Sequence, residues 1–397
     1  MSQQSVGEPV TGLVLAGGGA RGAYEMGIVL GIVEALGLKE SDKTPFPILC
    51  GTSIGSINAS WIAAFSEKGC LDAKELTHQW TDLDLEHYVR IEPGSLMLSA
   101  LARGDKGPAS LLNSAPFEEF AARTPWSKVQ KNFKDGVLDA LVFTALELET
   151  GRTVWFSQLS EGRDFPDWRD QRRTVIPTRL SEEHVLASSA IPLVLPARKI
   201  DGRYYSDGGA RFKTPLAAAI RAGAERLVVI SLRNPDLDVS RQEARAKSGV
   251  APQPLTVLSQ LLGALSYDST RYDMERLQGI NQLVDTLERT LDAEQLERVQ
   301  ETLRQERGAS WKQIPVLKFE PTFDFHEYAL EKARERISSL GWRQRWFLQL
   351  MEMTGQGTAL SFLFFDKAFT EELVDMGRAD ALARKDEICE FFRSPLS

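Results

Sequence analysis

The feature that most constrains this chain is a unit that occurs twice in its first 65 residues: a short apolar run, a glycine-rich turn, then a helix. Val10 to Ala16 is apolar and stops at Gly17-Gly18-Gly19. Such a run is too short for a helix and reads as a buried strand. From Arg21 to Leu36, Ala23, Met26, Ile28, Val29, Leu30, Ile32, Val33 and Leu36 fall at largely helical spacing, and Gly37 is placed as a C-cap. Phe46 to Cys50 is a second apolar run, ending at Gly51, and Ile54 to Phe65 follows as a helix rich in small residues. Repetition of strand, glycine loop and helix is how a parallel sheet with crossover helices begins. The predicted fold class is therefore α/β, a three-layer α/β/α sandwich around a central, mostly parallel sheet.

Composition narrows the function classes. The chain has 397 residues, 47 Lys+Arg against 55 Asp+Glu, and a formal net charge of −8. That acidic balance argues against general nucleic-acid binding, which needs a basic footprint. Four histidines and three cysteines (Cys50, Cys70, Cys389) without a CxxC pair leave few metal ligands and no disulfide framework. Neither a metal nor an organic cofactor is implied. The N-terminal stretch has no basic segment ahead of an apolar one, so a Sec-type signal peptide is not expected. No window of about 18 apolar residues is present, so membrane contact must be peripheral.

Farther along, residues 85–135 read as loops and short helices. Leu138 to Leu148 and Thr153 to Phe156 read as a strand pair around Thr150-Gly151-Arg152. Leu193 to Tyr205 supplies strand material with a turn at Asp201-Gly202. A helix near Leu216 to Ala222 precedes another buried strand, Leu227 to Ser231. Leucines at 255, 258, 261, 262 and 265 form one helical stripe, and Leu277, Ile280, Leu283, Val284 and Leu287 a second. Asp292 with Gln295 resembles a helix restart. Pro315 to Phe319 is a candidate last strand, and the chain from Ala329 onward is again helical.

Each glycine turn suggests chemistry. Gly17 to Gly22 satisfies GxGxxG, which in a dinucleotide-binding fold seats a pyrophosphate at the helix N-terminus. That reading needs an acidic residue at the end of the next strand. Glu40 and Asp42 have the right separation but no strand precedes them, so a Rossmann-type protein is the alternative rather than the main reading. Gly51-Thr52-Ser53-Ile54-Gly55 matches GxSxG between strand and helix, the context of a nucleophile elbow. Ser53 then stands on a strained turn with glycines on both sides, and the next helix points its positive end at the same spot.

A serine nucleophile needs a base. The histidines are His78, His87, His184 and His326, of which His326 alone lies in the distal third expected of a Ser…Asp…His order. Asp207, just after a strand and before Gly208-Gly209, is the better candidate. Four blocks in order, Gly17–Gly22, Gly51–Gly55, Ala187-Ser188-Ser189-Ala190-Ile191-Pro192 and Asp207-Gly208-Gly209, resemble the patatin-like phospholipase family across roughly residues 11–232. The resemblance implies a Ser–Asp dyad without histidine: Ser53 as nucleophile, Asp207 as general base, the N–H groups of Gly18, Gly19 and Ala20 as oxyanion hole, and Arg21 supporting that loop. It implies hydrolysis of acyl ester bonds in phospholipids or related lipids. It also implies a patatin-like core at 10–232; beyond it, the helical stripes predict a mainly helical extension at 233–397 packing on that core. A free carboxylate titrates near about 3.9 against about 6.5 for imidazole, so such a base must be helped by burial and is expected to favour esters over amides. A non-catalytic interaction protein on the same fold is a further alternative.

A lipid substrate requires transient contact with a membrane surface, and the sparse, unpaired cysteines fit a reducing compartment, so a cytoplasmic, peripherally associated protein is expected. Trp342, Trp346, Phe347, Leu350 and Met353 near Arg343 and Arg345, and the run Leu360 to Phe365, have the composition of an interfacial anchor. General burial statistics favour core for these stripes. Arg169, Arg172 and Arg173 could meet anionic headgroups but read more simply as a solvated cluster.

Overall fold

The computed structural model describes residues 9–68, 73–81, 114–165, 172–192, 194–210, 215–234, 269–307, 310–337 and 357–395, with positions 237 and 345. The loop region at 82–113, the leucine stripe at 255–265, the aromatic stripe at 342–353, and Cys70, His87, Trp168 and Arg169 lie outside the described residues.

The opening is built as its pattern demands. Strand β1 (Thr11–Leu15) leads through a 3-10 turn, Gly19–Arg21, into helix α1 (Gly22–Leu36), which stops at Gly37 in the left-handed conformation, φ 65°. Strand β2 (Ile48–Thr52) leads into α2 (Ile54–Ala64), and α3 (Ala73–Thr81) follows. β2 begins two residues later than the apolar run and continues through Gly51 and Thr52, because both pair with β3. Next come α4 (Ala115–Ala122), α5 (Trp126–Lys134), β3 (Ala140–Glu147), β4 (Thr153–Leu159), β5 (Arg173–Pro177), α6 (Glu182–Ser189), β6 (Arg198–Ile200), β7 (Arg203–Asp207), α7 (Leu216–Arg221) and β8 (Arg226–Ile230). The described remainder contains α8 (Ser269–Thr290), α9 (Ala293–Arg307), β9 (Val316–Phe319), α10 (Phe325–Arg336), α11 (Gly357–Leu363), α12 (Lys367–Leu382) and α13 (Lys385–Arg393).

The strands form one sheet in the order β5-β4-β3-β2-β1-β8-β9, with the β6–β7 hairpin joined to β3. Pairs β1–β2, β2–β3, β1–β8, β8–β9 and β4–β5 are parallel, whereas β3–β4, β3–β7 and β6–β7 are antiparallel. Successive side chains point to opposite faces. Leu13, Leu15, Leu49, Phe143 and Val228 belong to one buried cluster with α1, α2 and the C-terminal helices. Val14, Cys50, Val142, Leu227 and Val229 belong to the other, with α7 and the inner face of α8. The fold is thus a central, mostly parallel sheet between helical layers, with further helices from the C-terminal part.

That C-terminal part is woven into the core. β9 extends the sheet beside β8. α12 lies directly on α1: a Cβ at Gly27 would strike the Val374 carbonyl, and one at Gly377 would strike the Tyr24 carbonyl. The helix backbones touch because neither glycine carries a side chain. Asp292 and Gln295 form a reciprocal capping box at the start of α9, each accepting from the other's N–H (2.8 and 3.2 Å). The second leucine stripe is split: Leu277 and Val284 are buried, but Leu283 is 44% exposed because α8 packs only one narrow face. Leu360, Phe364 and Phe365 are buried, as core rather than anchor.

Candidate active site

Ser53 follows the last residue of β2 and N-caps α2 with φ 57° and ψ −127°. A non-glycine residue there carries about 1–3 kcal/mol of strain, which the surroundings must hold in place. Two glycines make the turn geometrically possible. A Cβ at Gly51 would strike the Gly55 carbonyl, and one at Gly55 would strike the Leu15 carbonyl. The Ser53 carbonyl accepts from the backbone N–H (2.8 Å) and hydroxyl (2.6 Å) of Ser56. Thr52 and Ile54, which flank the serine, are buried.

The glycine loop after β1 lies against this elbow. A Cβ on Gly17 would sit 3.1 Å from Ser53 Cβ and 3.8 Å from its Oγ. Gly18 is backed by the Leu232 side chain, and Gly19 turns at φ 61° against the Phe362 backbone. Ala20 is fully buried, and Gly22 starts α1 against Ile54. The Arg21 side chain is buried and turned into the C-terminal part. Its Nε donates to Ser361 Oγ at 3.0 Å, and its guanidinium lies over the Phe362 ring at 4.3 Å and near the Phe325 ring at 5.3 Å. These contacts fasten the loop to α11.

Asp207 arrives from the opposite direction. β2 pairs with β3 as far as Thr52 against Thr144, and β7 pairs antiparallel with the rest of the same edge, Asp207 against Ala145. Two strand ends therefore meet head to head on adjacent residues of β3, and their next groups are Ser53 on one side and the Asp207 side chain on the other. The last turn of α6 and the residue after it stitch the two ends together. Ser53 N–H donates to Ser188 Oγ (3.0 Å), which donates to the Thr144 carbonyl (2.7 Å). The Ala190 carbonyl accepts from Asp207 N–H (2.8 Å) and from Ser206 Oγ (2.7 Å). Asp207 Oδ1 accepts from Gly209 N–H at 2.6 Å, so the glycine pair folds back onto the carboxylate. Gly208 passes so close to the Thr144 carbonyl that a Cβ would overlap it. Ser53 and Asp207 are both at least nine-tenths buried.

The described histidines sit in other settings. His184 joins Ser181 in the cap of α6, its Nδ1 accepting from Ser181 N–H at 3.2 Å, and burial lowers its pKa. His326 sits in the first turn of α10, with its N–H on the Asp324 cap. His78 is exposed on α3. Among the described residues no group of three His, Cys, Asp or Glu side chains could hold a metal ion, and no helix is long and apolar enough to cross a membrane. The acidic residues that a dinucleotide fold would place at a strand end are on a surface loop: Glu40 pairs with Lys68, and Asp42 accepts from Lys39 N–H. A cavity of about 10 Å³ behind Ser189 and Ala190, lined also by Ile57, Phe117 and Leu195, holds a single water at most.

Three participants were not singled out in the sequence. Ser188 lies inside the Ala187–Pro192 block, which carries the resemblance without a chemical role of its own. Glu25 is completely buried in the first turn of α1, and Asn58 on α2 bonds to it. The only sequence signal for Glu25 was a carboxylate on the apolar face of a helix.

The family model described as Patatin-like phospholipase matches residues 13–220. Solved structures that resemble the chain include VipD from Legionella pneumophila, at 12% identity over 94% of each chain and a TM-score of 0.30. They also include human GIVD cytosolic phospholipase A2 in complex with methyl gamma-linolenyl fluorophosphonate and terbium chloride, at 13% identity and a TM-score of 0.43. That match covers 97% of this chain, which spans 59% of the phospholipase A2 chain. No curated protein matches the sequence.

Proposed function

The chain belongs to the patatin-like phospholipase family, and from that premise we propose that it hydrolyses carboxylic ester bonds of phospholipids or related lipids through Ser53 and Asp207. Ser53 Oγ attacks the acyl carbonyl carbon while Asp207 takes the hydroxyl proton. The N–H groups of Gly18, Gly19 and Ala20 hold the resulting oxyanion. In mutagenesis of comparable sites one such donor is worth about 2.7–4 kcal/mol. Asp207 then returns the proton to the departing alcohol oxygen. Water, activated by the same carboxylate, adds to the acyl-enzyme, and collapse of that second intermediate releases the fatty acid and regenerates Ser53.

The observation that carries this reading is the meeting of β2 and β7 on adjacent residues of β3, with Ser188 and Ala190 tying the two strand ends. The oxyanion loop beside Ser53 supports it independently. In this reading residues 10–232 form the catalytic core and 233–397 its extension, and the enzyme reaches its substrate by transient contact with a lipid surface. The mechanism uses no metal, so hydrolysis persists in EDTA.

The test is fatty-acid release from mixed phospholipid vesicles by the wild type and by folded Ser53→Ala and Asp207→Asn, alongside labelling with a fluorophosphonate. Release and Ser53 labelling by wild type alone, with a loss of about 10⁴-fold or more in each variant, is the expected result. Labelling without release removes phospholipids as substrates but keeps the serine nucleophile. A folded wild type that is neither labelled nor active overturns the reading. An Asp207→Asn enzyme that keeps its activity while His326→Ala loses it replaces the dyad with a histidine triad.

A further inference from the structure

One buried ionisable group has no part in the dyad chemistry, and it touches both pieces of the machinery. Glu25 is fully buried in the first turn of α1. Its Oε1 accepts from Ala16 N–H at 2.8 Å, at the junction between β1 and the glycine loop. Its Oε2 accepts from Asn58 Nδ2 at 2.8 Å, one helical turn beyond the elbow. The same Asn58 nitrogen donates to the Gly22 carbonyl at 2.9 Å, where the glycine loop ends. Asn58 Oδ1 accepts from Trp80 Nε1 (3.0 Å) and Gln79 Nε2 (3.2 Å) on α3.

We propose that Glu25 is a positioning residue for the reaction: paired with Asn58, it clamps both ends of the oxyanion loop to the helix that carries Ser53. The proposal rests on the Ser53–Asp207 reading and extends it to a residue that never meets substrate.

The hydrogen-bond directions make the clamp specific. An indole N–H can only donate, so Trp80 fixes the Asn58 amide with its oxygen toward α3 and its nitrogen toward Glu25. Glu25 must therefore present an acceptor to the amide and another to Ala16 N–H. A glutamine has the same shape but one acceptor fewer. Whichever way it turned, an N–H would face either Ala16 N–H or Asn58 Nδ2. The positive end of α1 favours a carboxylate in its first turn. Burial is the stronger influence and raises the Glu25 pKa well above the usual range, against the lowering by Asn58 and Ala16. Folding a group this unwelcome into the core, with no cation among its described partners, is explained by the geometry it enforces on the loop.

The test compares wild type with Glu25→Gln and Glu25→Leu, measuring kcat and KM for release from phospholipid vesicles, the rate of fluorophosphonate labelling, and the melting temperature. Leucine removes both acceptors but also removes the buried carboxyl, so it separates positioning from stability. A displacement near 1 Å costs about 10²-fold in rate. The expected result is a fall of 10-fold or more in kcat and labelling rate in both variants, with KM within about threefold of wild type. Melting temperatures are expected not to follow that fall, with Glu25→Leu no less stable than Glu25→Gln. If both variants fold and keep kcat per folded molecule, the proposal is overturned. If kcat falls only with the folded fraction, or neither variant folds, Glu25 is a structural residue and the proposal is equally overturned. A wild type without labelling or release fails at the earlier step, the Ser53–Asp207 reading itself.

Discussion

The two glycine turns are built on one plan and solve opposite problems. Both leave a central parallel strand and enter a helix, and both contain a residue with positive φ: Gly19 at 61° and Ser53 at 57°. In the first turn the unusual conformation falls on a glycine, which adopts it freely, and the loop is held by outside contacts through Ala16, Arg21 and Phe362. In the second it falls on a serine, which does not adopt it freely, and the glycines stand two residues to each side. The contrast teaches where strain is kept. The loop proposed to offer backbone N–H groups needs only shape, so it is relaxed. The turn proposed to offer a hydroxyl must carry a side chain, so it is strained and braced.

The sharpest way to break this comparison is to exchange the two solutions. Ser53→Gly is expected to abolish release, by about 10⁴-fold or more, while stabilising the fold by about 1 kcal/mol through relief of the elbow strain. Vesicle hydrolysis and thermal melting measure both. The reverse change at the first turn, Gly19→Ala, is expected to lower stability and activity together. Left-handed backbone costs an alanine about 1–2 kcal/mol, its Cβ collides with the Phe362 carbonyl, and a displaced loop loses about 10²-fold in rate. If Gly19→Ala were neutral, the loop would not be packed against α11 as described.

A smaller effect probes the brace between the strand ends. Ser188→Ala leaves the buried Ser53 N–H and Thr144 carbonyl without this partner, at about 1–3 kcal/mol of stability. A fall in kcat of about 10-fold is expected, with labelling of Ser53 slowed in parallel. The smallest effect concerns pH. Burial raises the Glu25 pKa in the folded protein, whereas the unfolded chain ionises near about 4.3. The stability that belongs to neutral Glu25 is complete below that value and is lost as pH rises through the folded pKa. Glu25→Leu removes this dependence, so its melting temperature should gain on wild type between about pH 4.5 and pH 8. A constant gap across that range would mean that Glu25 ionises alike in both states.

Much of the frame was legible because it is local. The apolar runs at Val10–Ala16 and Leu227–Ser231, the helical spacing after Arg21, the C-cap at Gly37 and the box at Asp292 and Gln295 each depend on residues a few positions apart. Where the periodicity misled, distant partners decided. Leu283 belongs to a helical stripe in sequence, yet it is exposed while Leu277 and Val284 are buried, Leu277 together with Met274 in the cluster against the sheet. β2 runs on through Gly51 and Thr52 because β3 offers pairing partners there.

By itself the sequence determined the α/β class, the two strand–turn–helix units and the order of the four motifs, since backbone conformation at glycines and apolar periodicity are short-range properties. Only the tertiary structure decided what stands beside what. The junction of Ser53 and Asp207, which are more than 150 positions apart in the chain, depends on two separate registers along one edge of β3. The clamp of Glu25, Asn58 and Trp80 and the anchoring of Arg21 on Ser361 depend on buried polar groups finding partners across elements. Each of those side chains alone is an ordinary residue. Burial, which leaves a polar group no water to bond, is what forces them together.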